Sequence, residues 1–278
     1  MKRVIRILFA VSGLGATALV AQQPKRGPMA KSQPELQALQ AVFTAAQSNN
    51  PDGVITASEN LLSKFKDTDF KDIVLFMEAQ SYQQKGDKEK MQIYAERALT
   101  ANPNNYQAAL MLADVTVQGT REHDLDRDDK LAKGEKYANQ ALTAIAAAEK
   151  PNPQLTDQQW ADFKKDLTAQ AHDALGMAAL DRKDYEKAIT ELKMATEGAA
   201  HPEPAFEVRL ASAYQQAGKN DEAIAEAEKV MNEPQTPAQI KSVAQSIRAG
   251  AVLAKNGGKA PSQNAAPPQV EIKPQPQQ

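Results

Sequence analysis

The chain has 278 residues, with 33 Lys and Arg against 35 Asp and Glu, and no cysteine. So even a balance excludes a strongly basic nucleic-acid binder, which would cluster its cations on one face. The lack of cysteine excludes disulfides, thiolate metal sites and a lipid-modified N-terminal cysteine. Aromatic residues make up only 5%, which suits closely apposed helices better than a sheet core and predicts an all-α class.

Residues 1–21 differ from the rest. Lys2, Arg3 and Arg6 precede an apolar run interrupted by Gly13 and Gly15, and small residues at Ala16, Ala18 and Ala21 suit cleavage. That pattern predicts a secretory signal peptide and a periplasmic or secreted protein. The alternative is an uncleaved anchor in the inner membrane, although the run falls short of the roughly 20 apolar residues a spanning helix needs. Residues 22–33, with proline, glycine and lysine and no apolar period, read as a linker.

Helical patterning begins after Pro34. Leu36, Leu39, Val42 and Phe43 share one face, and Ile55, Leu61, Leu62 and Phe65 form the expected buried stripe of a second helix. The clearest helix pair follows. Leu75, Phe76, Ala79 and Tyr82 recur at helical spacing, Gly86-Asp87 interrupts them, and Met91, Tyr94, Ala95, Ala98 and Leu99 resume the period. Asn102-Pro103 ends the second helix, because proline lacks the donor for the next hydrogen bond and disfavours helical geometry in its predecessor.

The pattern then repeats. Tyr94 to Leu99 is echoed by Tyr137 to Leu142, and Asp184 to Ile189 by Asn220 to Ile224. With Ala79, Tyr82, Gly86, Ala95, Ala98 and Pro103 in one copy, Leu175, Gly176, Tyr185, Ala188, Ile189 and Ala195 in another, and Leu210, Ala211, Tyr214, Gly218, Ala223, Ile224 and Ala227 in a third, the chain resembles the tetratricopeptide repeat (TPR) family. The resemblance implies an α-solenoid of stacked helix-turn-helix repeats of roughly 34 residues. Its expected limits are residues 34–66, 70–105, 106–150, 156–198 and 204–234, with a capping helix over 237–255 that buries Ile240, Val243, Ile247, Val252 and Leu253. Residues 256–278, rich in proline and glutamine, are expected to be a disordered tail.

The spacing from Ala95 to Ala138 is 43, so about nine residues are added to a repeat of about 34. They fall between residues 119 and 129, and two long helices are expected after them, with Trp160 near their tip. Asp124, Asp126 and Asp128 with Glu135 match part of a calcium loop, but Asp129 stands where the sharp turn requires glycine. The other reading is a set of acids at a helix N-terminus, where the macrodipole favours negative charge. His123, His172 and His201 lack ligand spacing, and no nucleophile or phosphate-loop pattern occurs. The chain therefore reads as non-enzymatic and without a cofactor.

What remains is a binding role. The resemblance implies a groove lined by the first helix of each pair, at Ile73, Phe76, Gln80 and Gln83, then Gln107, Leu110 and Asp114, then Asp173 and Met177, then Val208, Ser212 and Gln215. By residue type this face is neutral and amide-rich. It lacks the basic clamp with which some relatives hold an acidic peptide C-terminus. The expected function is a protein-interaction scaffold of the cell envelope that takes a segment of another protein, with no nucleic-acid partner and with membrane attachment only if the first segment is retained. The alternative is a membrane-anchored spacer that binds nothing in its groove.

Overall fold

The computed structural model describes residues 27–257, all of whose regular structure is α-helical. The expected signal segment and nearly all of the expected tail lie outside these residues. Two compact units divide the chain: residues 27–108 with 149–154, and 109–148 with 155–257.

The first unit holds α1 (Gln33–Gln47), α2 (Pro51–Lys64), α3 (Lys71–Gln84) and α4 (Lys88–Ala101). Each helix packs on the next in sequence. Leu39, Val42, Val54, Leu61, Phe70 and Val74 form the core of the first three helices. The stripe of α2 runs through Val54, Ser58 and Leu61, one register step from the expected Ile55. Ser58 is fully buried and hides that step from a reading of apolar residues alone. In the second pair Ala79, Ala95 and Ala98 are completely buried, so the backbones of α3 and α4 approach to the distance that a methyl group allows. Asn102, extended at φ −143°, ends α4 before Pro103. Its amide and that of Asn105 both donate to Asp72 Oδ2, at 2.8 and 3.2 Å, tying the end of α4 to the start of α3.

The second unit holds most of α5 (Tyr106–Gly119), then α6 (Arg127–Ala147), α7 (Asp157–Asp181), α8 (Tyr185–Gly198), α9 (Pro204–Gln216), α10 (Asn220–Asn232) and α11 (Ala238–Lys255). α6 and α7 are the longest helices described, with 21 and 25 residues. A capping box starts α7: Thr156 Oγ1 accepts from the Gln159 N–H, and Gln159 Oε1 accepts from the Thr156 N–H. Near that end Trp160 stacks on Phe163 with centroids 5.8 Å apart, and Lys164 Nζ donates to the Ala146 carbonyl where α6 ends. Gly176 and Gly134 mark close helix contacts: a Cβ on Gly176 would lie 2.5 Å from Leu192 Cγ, and one on Gly134 would lie 2.5 Å from Val117 Cγ2. At the end of the unit, α11 buries Ile240, Ala244, Ile247 and Ala251. Leu253, expected in that stripe, is exposed.

Four helix turns share one backbone design. Asn49, Gly86, Lys183 and Gly218 have positive φ of 50 to 75°. In each turn that residue's N–H bonds the carbonyl three back and the next N–H bonds the carbonyl five back from itself, which closes the helix C-terminus. The following residue starts the next helix. Asn50, Asp87 and Asp184 accept from the N–H three residues on, whereas Lys219 has no such bond. Lys219, not Asn220, therefore occupies the position of Asp184.

Two substitutions test this architecture. Ala98→Glu places a charge without a partner between α3 and α4, and should cost roughly 3 to 5 kcal/mol, read as a lower melting temperature and lost helical circular dichroism. Lys183→Gly removes the left-handed penalty on a residue with a Cβ. Urea titration should show a gain of about 0.5–1 kcal/mol, because the 3.7 Å contact with Glu122 that it removes lies between exposed groups.

Candidate partner-binding face

In the second unit, side chains from α5, α7 and α9 meet around Arg209. Its guanidinium donates to Asp173 Oδ2. Asp173 is 4% exposed, and its Oδ1 has no hydrogen-bond donor. Asp114 on α5, held by Gln118, and Glu203 at the start of α9 both feel the charge of Arg209. Desolvation raises the pKa of both acids despite that attraction. It pushes Asp173 up to about 6, against the pull of the guanidinium. Thus one cation faces three carboxyl groups.

Beside this cluster Asp166 accepts from the Ala200 and His201 N–H groups at 2.9 and 2.8 Å, and lies 2.8 Å from His201 Nδ1. His172 Nδ1 lies 2.7 Å from Glu191 Oε2, which joins α7 to α8. Both histidines are thus held by carboxylates of the scaffold. In the loop between α5 and α6, the Lys130 ammonium sits 2.8 Å from Asp124 and 2.9 Å from Asp126. Both carboxylates are thus paired with a cation of the chain itself.

Residues 74–105 match the family model of the tetratricopeptide repeat. The chain carries a tetratricopeptide repeat. Its fold is similar to the crystal structure of a thermophilic TPR protein from Thermus thermophilus, at 20% identity over 77% of this chain and 98% of that one, with a TM-score of 0.46. No curated protein matches the chain.

Across the TPR-like copies, the expected groove residues fall into two sets. Phe76, Leu110 and Val208 occupy one repeat position and are all buried, so they pack between helices rather than facing a ligand. Asp173 is the fourth occupant of that position. Gln80, Asp114, Met177 and Ser212 share the next position on the face; the first two are exposed and the last two half-buried. Gln83 and Gln107 are exposed, and Ile73 packs on the core of the first unit. Gln215 is half-buried and donates to the Ile247 carbonyl at 3.1 Å, and Gly250 leaves room for it. The expectation of a neutral face does not hold in the second unit, where Asp114 and Asp173 join Arg209 and Glu203. Arg209 escapes a reading of the sequence because it follows the apolar position of its repeat by one residue.

A second buried acid lies in the matched repeat itself. Glu78 has no solvent exposure, and neither oxygen meets a donor in hydrogen-bonding geometry. Burial pushes its pKa to about 7, and Glu59 adds to the rise, while Arg97 and the Tyr94 hydroxyl oppose it. Above it Tyr82 stacks on Tyr94 with centroids 5.1 Å apart.

The folded-state pKa of Glu78 exceeds its value of 4.5 in the open chain, so folding is unhindered below about pH 4.5 and loses stability as pH rises through 7. Glu78→Gln keeps the shape and removes the ionisation. It should stabilise the first unit by about 3 kcal/mol at pH 8, with the gain vanishing by about pH 4.5. Melting curves of both proteins across that range check the prediction.

Proposed function

We propose that the chain is a non-enzymatic scaffold of the bacterial cell envelope that holds a segment of a partner protein on the solvent-facing side of its first helices. The tetratricopeptide repeat is a protein-interaction module, and the matched repeat supports that general role. The observation that carries the finer reading is the repeat position of Gln80, Asp114, Met177 and Ser212. In every one of these copies it retains access to solvent, while the position four residues earlier is buried. A row of side chains kept out of the core at a fixed interval is available to an extended or helical ligand within each unit.

The envelope assignment rests on Lys2, Arg3 and Arg6 ahead of an apolar run. Among the described residues no helix is long and apolar enough to cross a membrane. A cleaved leader would leave the chain free to diffuse, and a retained one would hold it at the inner membrane as a spacer.

A photoreactive amino acid placed at Met177 or Ser212 in the native host should give a discrete adduct with one protein. The same group at Thr190 or Glu222, on the second helices, should not. Adducts of the same kind and amount at all four positions, or at none, would reject the proposal.

A further inference from the structure

α11 ends on a reversed residue of the kind that closes α1, α3, α7 and α9: Gly257 has φ of 79°, and its N–H returns to the Ala254 carbonyl at 3.2 Å. What precedes it is different. Ser48, Lys85, Arg182 and Ala217 hold that position in the other four turns, and Asn256 holds it here. Asn256-Gly257 is also the one place in the 278-residue chain where glycine follows asparagine.

An asparagine in that setting carries its own electrophile beside a nucleophile. Its side-chain carbonyl carbon and the backbone nitrogen of the next residue can join into a five-membered ring, and their proximity makes the attack intramolecular. A Cβ on the following residue crowds that nitrogen, and hydrogen bonds to the side chain hold the carbonyl carbon out of reach. Neither obstacle is present at Asn256. Gly257 has no Cβ, and no atom lies within 4 Å of where one would stand. Asn256 is exposed, lies just past the last residue of α11, and has no side-chain hydrogen bond among the described residues. The Gly257 N–H bond to Ala254 must open, but it belongs to the last turn of a helix, where opening costs least. Several other asparagines are held. Asn50 Oδ1 accepts from the Gly53 N–H, the Asn102 and Asn105 amides donate to Asp72, and Asn139 donates to the Glu135 carbonyl within α6. Asn152 precedes Pro153, whose nitrogen has no proton to give up.

We propose that Asn256 is a site of spontaneous deamidation, with water as the co-reactant. The Gly257 nitrogen gives its proton to solvent and attacks Asn256 Cγ; the new N–Cγ bond forms, the Cγ–Nδ2 bond breaks, and the side-chain nitrogen leaves as ammonia with a proton from solvent. The chain now carries a succinimide. Water adds to one of the two ring carbonyls and opens the ring, giving aspartate when the N–Cγ bond breaks and isoaspartate when the original peptide bond breaks. Nothing is oxidised: an amide and water become a carboxylic acid and ammonia. Either product places a negative charge at the C-terminus of α11, where the macrodipole disfavours it. Isoaspartate also routes the main chain through Cβ and Cγ, which lengthens it by one carbon beside the reversed residue.

The test incubates the mature full-length chain at mildly alkaline pH and follows each asparagine by peptide mass spectrometry, with isoaspartate measured by enzymatic methyl labelling. Asn256 should gain the mass of an amide-to-acid exchange before any other described asparagine, with isoaspartate among its products. Gly257→Ala should slow the reaction about tenfold, because the added Cβ displaces the attacking nitrogen. Asn256→Gln, which would have to close a six-membered ring, should remain unreacted over the same period. Both residues are exposed at the end of the last described helix, so circular dichroism should be the same in all three proteins. No reaction at Asn256, earlier reaction at Asn49 or Asn104, an unchanged rate in Gly257→Ala, or aspartate without isoaspartate would each overturn the proposal.

Discussion

Everything in this chain depends on how closely two helix backbones can lie together. Ala79, Ala95 and Ala98 in the first unit, and Gly176 against Leu192 in the second, leave no room for a larger side chain. Close contact of this kind replaces the large aromatic residues that a sheet or bundle core would use, which explains how a chain so poor in aromatics still buries a continuous stripe on every described helix pair. Such contacts are short-range and steep. They specify the partner face of each helix more sharply than hydrophobicity alone would.

The buried acids stand against that background. Glu78 and Asp173 both occupy helix faces that otherwise bury carbon, yet they are solved differently. Glu78 sits under a pair of stacked tyrosines and is accommodated as a neutral acid over much of the pH range. Asp173 is held by a guanidinium that does not give up its proton, and so keeps a charge inside the scaffold. One arrangement adjusts the stability of a repeat. The other keeps an ion pair between α7 and α9.

The helix pairs were legible in the amino-acid order because alanine, leucine and tyrosine recur with the period of a helix, and glycine or proline interrupts them where chains must turn. Leu39, Val42, Ala95, Ala98 and Ile247 lie in the core for that reason. What escaped detection was polar. Ser58 shifts the apparent stripe of α2 by one residue, and Lys183 adopts a backbone conformation usually left to glycine. Arg209 and Glu203 belong to the acidic cluster, but no local pattern links them to Asp114 and Asp173, which are supplied by helices far apart in the chain. Asp124 and Asp126 suggested a metal loop, since the residue that pairs with them, Lys130, falls at a place where the calcium pattern asks only for a backbone carbonyl and leaves the side chain open.

The left-handed turn closes α1, α3, α7 and α9, but α5 ends without it: Gly119 and Thr120 lead into a loop, where the Thr120 N–H returns to the Val117 carbonyl and its hydroxyl to that of Thr116. A reversed residue followed at once by a capping side chain commits the chain to begin its next helix immediately. Where that pair is missing, material can accumulate, and the extra length appears at this junction and in the two long helices beyond it. Duplication can therefore copy a repeat faithfully while one junction drifts.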